Sequence, residues 1–129
     1  MKAPARFPSS IPLVVRNVSV RGPKRSLQVD MVLDTGADLT LLSWSVLRFL
    51  GYDPVVSRLR RRISAANGII VVPLLRIESI AVRGATASNV EVIAHDIPEL
   101  AETQGLLGLS YLKHFRTIID YKKGYVEIY

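Results

Sequence analysis

The sequence predicts an all-β, single-domain protein with one or two short helices, and three stretches carry that expectation. Leu27, Val29, Met31 and Leu33 alternate with Gln28, Asp30 and Val32, the period-2 pattern of a half-buried strand. Two β-prone arms, Val55 to Ile63 and Ile69 to Leu75, flank Ser64-Ala65-Ala66-Asn67-Gly68. Asn-Gly between such arms is a strong hairpin signal, since both residues tolerate positive φ. Ile118-Ile119-Asp120-Tyr121, the turn Lys122-Lys123-Gly124 and Tyr125-Val126-Glu127-Ile128-Tyr129 read as a C-terminal hairpin.

Composition narrows the function classes. A chain of 129 residues supports one domain with a real core and not two. With 49% apolar residues it should fold rather than stay disordered. The absence of cysteine excludes disulfides, thiol catalysis and Cys-based metal sites, and fits a reducing, cytoplasmic setting. No apolar stretch approaches the length of a membrane helix. Residues 1–10 lack the apolar core of a signal peptide and read as a flexible lead-in, leaving 11–129 as the domain. The formal charge of +6 suggests attraction to acidic partners.

In chain order, Ile11-Pro12-Leu13-Val14-Val15 opens the first strand, with Pro12 tolerable near its start. Arg21 to Arg25 is a turn, and Leu27 to Leu33 is the second strand. Ser43 caps a helix from Trp44 to Leu50, with Gly51 just past its end, and Tyr52-Asp53-Pro54 redirects the chain. The hairpin follows. Leu75 to Val82 and Asn89 to Ala94 read as further strands joined through residues 83–88. His95-Asp96-Ile97-Pro98-Glu99 begins a polar loop that reaches Gly105. Gly105-Leu106-Leu107-Gly108-Leu109 and a short amphipathic helix over Ser110 to Phe115 precede the final hairpin.

The chemistry concentrates at Asp34-Thr35-Gly36-Ala37-Asp38, a polar knot at the end of the second strand. A carboxylate at the end of an apolar run is expensive to desolvate unless something compensates it. Thr35 supplies a hydroxyl, and Gly36 lets the backbone turn tightly or lie close to a ligand or another chain. Taken alone, such a tripeptide is an ordinary turn after a strand. The hairpin and the Leu-Leu-Gly element downstream give it weight.

Asp34-Thr35-Gly36-Ala37 resembles the active-site loop of the aspartic proteases, and Leu106-Leu107-Gly108 resembles their hydrophobic-hydrophobic-Gly element. The resemblance extends from Leu13 onward and is strongest to the single-domain retropepsin-like proteases. It implies a barrel-like acid-protease fold with a flap hairpin, in which two Asp-Thr-Gly loops bring together two carboxylates that share one proton. It assigns Asp34, Thr35 and Gly36 to catalysis and Ala37, Asp38, Ala66, Asn67 and Gly68 to substrate contact. Leu106, Leu107 and Gly108 would support the site, with Gly108 packed against the Asp34 loop. No cofactor or metal is implied. Asp30, Asp53, Asp96 and Asp120 lie in no second Asp-Thr-Gly or Asp-Ser-Gly, so a two-fold homodimer is expected to supply the second carboxylate. Leu13–Val15 and Tyr125–Tyr129 are candidate interface strands. One departure stands out: viral members usually carry an arginine directly after the Gly element, paired with the acidic residue that here is Asp38. This chain has Leu109 there, so Asp38 needs another partner or solvent.

Competing assignments rest on weaker patterns. Arg58 to Arg62 could contact phosphates, but no aromatic residues interleave with it and no RNA-binding signature accompanies it, so it reads as a solvated charged strand. His95 beside Asp96 has no ligand spacing to His114, the other histidine, and reads as surface loop. The alternative function is a non-catalytic module of the same fold that docks peptides or acidic partners.

Overall fold

A computed structural model describes residues 4–6, 13–96 and 102–129 of the chain. Sequence alternation becomes alternating burial in β2 (Val14–Arg21) and β3 (Ser26–Leu33). Val18, Val20, Val29 and Met31 point into the core while Gln28 faces solvent. The two strands pair antiparallel, Val18 opposite Val29 and Val20 opposite Leu27, with a bulge between Val15 and Val18. That bulge places Asn17 at positive φ, and its N–H donates to Asp30, which also pairs with Arg16 at 2.9 Å.

β4 (Thr40–Leu42) leads into α1 (Trp44–Leu50). The Ser43 side chain accepts from the Val46 N–H, and Gly51 closes the helix by donating to the Arg48 and Leu47 carbonyls, as the sequence predicts. β5 (Leu59–Ala65), β6 (Gly68–Val82), β7 (Ala85–Ala94) and β8 (Gly105–Leu107) follow. Strand order β2-β3-β8-β4-β7-β6 closes on itself, because Val20 of β2 also pairs with Ile80 of β6. Six strands therefore form an all-β barrel, and β5 hangs outside it on β6 alone. The barrel is filled by Val18, Val20, Met31, Leu42, Ile77 and Ile80, with Leu47 and Leu50 of α1 against them. Met31→Ala would remove roughly 2–5 kcal/mol at such a site. α2 (Leu109–Leu112), β9 (Thr117–Asp120) and β10 (Tyr125–Ile128) complete the chain.

Four expectations change. The strands expected over Ile69–Leu75 and Leu75–Val82 are one 15-residue strand, β6. Pro73 does not break it, because β5 alone flanks that position and β7 begins to pair only at Leu74. Val55 and Val56 lie in a 3-10 turn over Pro54–Val56 rather than in the hairpin arm; Asp53 accepts the Val55 N–H at 3.1 Å and Pro54 presets the first turn. The connection expected over residues 83–88 shrinks to Arg83-Gly84, both at positive φ, so β7 starts at Ala85. Finally, Ala5–Arg6, within the expected lead-in, forms β1, which pairs with β10 beside β9. Ile11, Pro12 and the Ile97-Pro98-Glu99 part of the polar loop lie outside the described residues.

Candidate active site

Pairing of β8 on both sides and two further backbone hydrogen bonds hold the loop that begins at Asp34. β8 lies between β3 and β4, with Leu33 opposite Leu107 on one side and Leu41 opposite Leu106 on the other. The Asp34 N–H donates to the Leu107 carbonyl at 3.0 Å, and the Leu109 N–H donates to the Ala37 carbonyl at 2.8 Å. Residues 34–39 thus leave β3, pass under the end of β8 and return as β4. Gly108 makes that passage possible. A Cβ at this position would lie 2.6 Å from the Leu39 carbonyl oxygen and 2.8 Å from that of Ala37. The Leu-Leu-Gly element packs directly against the Asp34 loop, as expected from the resemblance.

Within the loop the half-buried Asp34 folds back so that Oδ1 accepts the Gly36 N–H at 2.9 Å. This turn fixes the carboxylate's direction at the end of a rigid strand. Two hydroxyls buttress it from below. Thr40 and Ser110, the buried polar residues among those described, lie 3.0 Å apart. Thr40 Oγ1 accepts the Gly108 N–H at 3.1 Å, and Ser110 Oγ accepts the Thr40 N–H at 2.8 Å and donates to the Glu91 carbonyl at 2.7 Å. Sequence reasoning passed over this pair. A threonine between Leu39 and Leu41 was the available signal, since a hydroxyl in an apolar run requires a buried partner.

The hairpin of β5 and β6 overhangs the loop. Its two-residue tip is Ala66-Asn67, one residue before the expected Asn67-Gly68 turn, and Gly68, paired with Ala65 at the start of β6, takes positive φ at +116°. Between hairpin and loop lies a cleft of about 980 Å³. Gly36, Ala37 and Asp38 line its floor, Ala66 and Asn67 its roof, and Leu106 its back wall. Asp34, Thr35 and Gly68 are not in the cleft wall; Asp34 adjoins it through Gly36. The Arg61 guanidinium on β5 lies 3.6 Å from Asp38 Oδ2, a contact between two solvated side chains. Asp38 therefore has a partner, drawn from the arginine run rather than from the segment after Gly108. Asp96 accepts the Trp44 N–H at 3.1 Å at the start of α1, and both it and His95, expected as surface loop, line the cleft. Among the described residues no group of three His, Asp or Glu side chains could hold a metal, and no helix is long and apolar enough to cross a membrane.

The "gag-polyprotein putative aspartyl protease" family matches residues 18–114, well over half of the chain, and includes both the Asp34 loop and the Leu-Leu-Gly element. The chain belongs to this family. The match ends at His114, so β9 and β10 fall beyond it. The retropepsin-like fold also appears in solved structures. A retropepsin-like aspartic protease from Rickettsia conorii aligns with a TM-score of 0.70 at 21% identity, over 98% of each chain. The protease of Simian Foamy Virus (mac) aligns with a TM-score of 0.51 at 15% identity, over 86% of this chain and 92% of that one. At these identities the likeness is one of fold. No curated protein matches the sequence significantly.

Proposed function

We propose that this retropepsin-like chain is an aspartic endopeptidase that hydrolyses peptide bonds in extended polypeptides, acting as a two-fold homodimer. The observation that carries the reading is the tethered Asp34 loop, oriented by Gly36 and roofed by a hairpin across an open cleft. One carboxylate of this kind cannot serve as both base and acid in the same step. The chain has no second Asp-Thr-Gly or Asp-Ser-Gly, and an isologous contact presents the same loop twice.

In the dimer the ionised Asp34 takes a proton from water as the water oxygen attacks the peptide carbonyl carbon. The protonated Asp34 of the other copy gives its proton to the carbonyl oxygen. The resulting tetrahedral diol then collapses. The now ionised Asp34 takes a proton from one hydroxyl as the C=O re-forms and the C–N bond breaks. The protonated Asp34 gives its proton to the leaving amine nitrogen, which restores the singly protonated pair. Thr35 and Gly36 brace the two loops across the axis. Ala37, Asp38, Ala66, Asn67 and Gly68 hold the substrate backbone in an extended conformation, and Leu106, Leu107 and Gly108 keep the loop in place.

Cleavage of an unfolded protein by wild type and by Asp34→Asn tests this. Asn keeps the shape and removes the titrating group, so turnover should fall by about 10² to 10⁴. Equal turnover by both proteins would contradict it.

A further inference from the structure

We propose that the overhanging hairpin selects acidic substrates, with Arg61 as the specificity-determining residue; this rests on reading the cleft as a peptide-cleaving site. Between Asp53 and Glu78 the chain carries Arg58, Arg60, Arg61, Arg62 and Arg76 and no acidic residue. Four of these arginines fall on or just before β5, the strand that lies outside the closed barrel.

Register decides which arginine faces the cleft. Arg61 stands opposite Val72, which is buried, and Ile63 stands opposite Ile70. Ile63 and Ile70 pack on the small cluster of Leu41, Val72, Leu74 and Ile93, which marks this side of the hairpin as the cleft side. Arg60 is engaged elsewhere, donating to the Val55 carbonyl at 3.1 Å. Arg61 and Arg62 both line the cleft.

Two carboxylates, Asp38 and Asp96, share the cleft with Arg61 and Arg62, and the one that meets Arg61 is solvated. Asp96 accepts from the Trp44 backbone, and Asp38 meets Arg61 at 3.6 Å with side chains 79% and 47% exposed. Such a solvated pair holds little energy and is easily exchanged. A substrate carboxylate can instead accept two parallel N–H bonds from the planar guanidinium, a better geometry than the existing contact. A basic substrate side chain at the same place meets the like charge of Arg61.

Two peptide series test this, identical except for Glu, Gln or Lys at positions flanking the cleavage site. Wild type should show kcat/KM about 3- to 10-fold higher for Glu than for Gln, chiefly through KM, with Lys poorest. The ratio should shrink toward one as salt rises from about 50 mM to about 0.5 M. Arg61→Gln should abolish the Glu/Gln ratio and Arg61→Lys should restore part of it, whereas a merely structural loss would lower all peptides alike. The same peptides are titrated onto Asp34→Asn by fluorescence anisotropy, so that binding preference is read without turnover. An acidic preference there, with no cleavage by wild type, would sink the protease reading and leave this inference standing. A flat Glu/Gln ratio in cleavage and binding, or one unchanged in Arg61→Gln, overturns the inference while cleavage itself survives. Tighter binding of a single-stranded oligonucleotide than of the Glu peptides would also overturn it and make the arginines a nucleic-acid surface.

Discussion

Gly108 and Leu39 approach so closely that a single added carbon at Gly108 would lie 2.6 Å from the Leu39 carbonyl oxygen. The obstacle is backbone on both sides, Leu39 and Ala37, so no side-chain rotation relieves it. Gly108→Ala should therefore push the Asp34 loop away from β8. We expect a loss of about 1–3 kcal/mol in urea unfolding. Displacing the carboxylate should lower kcat/KM by about 10- to 100-fold. Wild-type stability together with wild-type kinetics in this variant would refute the packing role.

Gly68 gives the opposite case. It has φ of +116°, yet a Cβ there meets no atom within 4 Å. A substitution is strained purely by backbone conformation, at about 1–3 kcal/mol, and the strain falls on an exposed hairpin tip. Gly68→Val should thus impair peptide turnover while the barrel still unfolds cooperatively, with its thermal midpoint lowered by no more than about 4–12 °C. Unchanged peptide kinetics would reduce the hairpin to a structural element.

Tyr111 ties α2 to the turn between β6 and β7. Its hydroxyl donates to the Ala85 carbonyl at 2.6 Å and accepts the Val82 N–H at 3.2 Å. Burial pushes its pKa well above the ordinary tyrosine value, only partly offset by the Val82 hydrogen bond. The folded state therefore keeps a proton that the unfolded chain releases above about pH 10. The stabilisation is complete below that pH and declines as pH rises beyond it. Tyr111→Phe should cost about 1–3 kcal/mol at neutral pH by stranding two backbone groups. The gap between wild type and variant should narrow in urea titrations from pH 9 to pH 11. A gap that is constant or widens with pH would contradict the assignment.

Much of this was legible because local chemistry and tertiary role coincide. Leu27–Leu33 alternates because one face is core, Ser43 and Gly51 bracket α1 because helix ends demand such residues, and Gly108 is small because two carbonyls crowd it. What the sequence concealed depends on neighbours distant along the chain. The arm Ile69–Leu75 and the strand Leu75–Val82 run on as one strand because β5 pairs with its first half and β7 with its second. β4 and β8 have three residues each, too few to display a period. The Asp38 partner, Arg61, sits on a different strand, and no spacing rule connects them. Thr40 and Ser110 are 70 residues apart, and only the fold brings the two hydroxyls together.

The pairing of two Asp34 copies is the centre of the account, and subunit mixing tests it most directly. Wild type and Asp34→Asn are combined at constant total protein, above the concentration at which dimers form, allowed to exchange, and assayed for peptide cleavage. If each active unit needs two wild-type copies, activity follows the square of the wild-type fraction, and an equal mixture retains about a quarter of full activity. A straight-line decline, with about half the activity left in the equal mixture, would show that one Asp34 suffices and contradict the shared site.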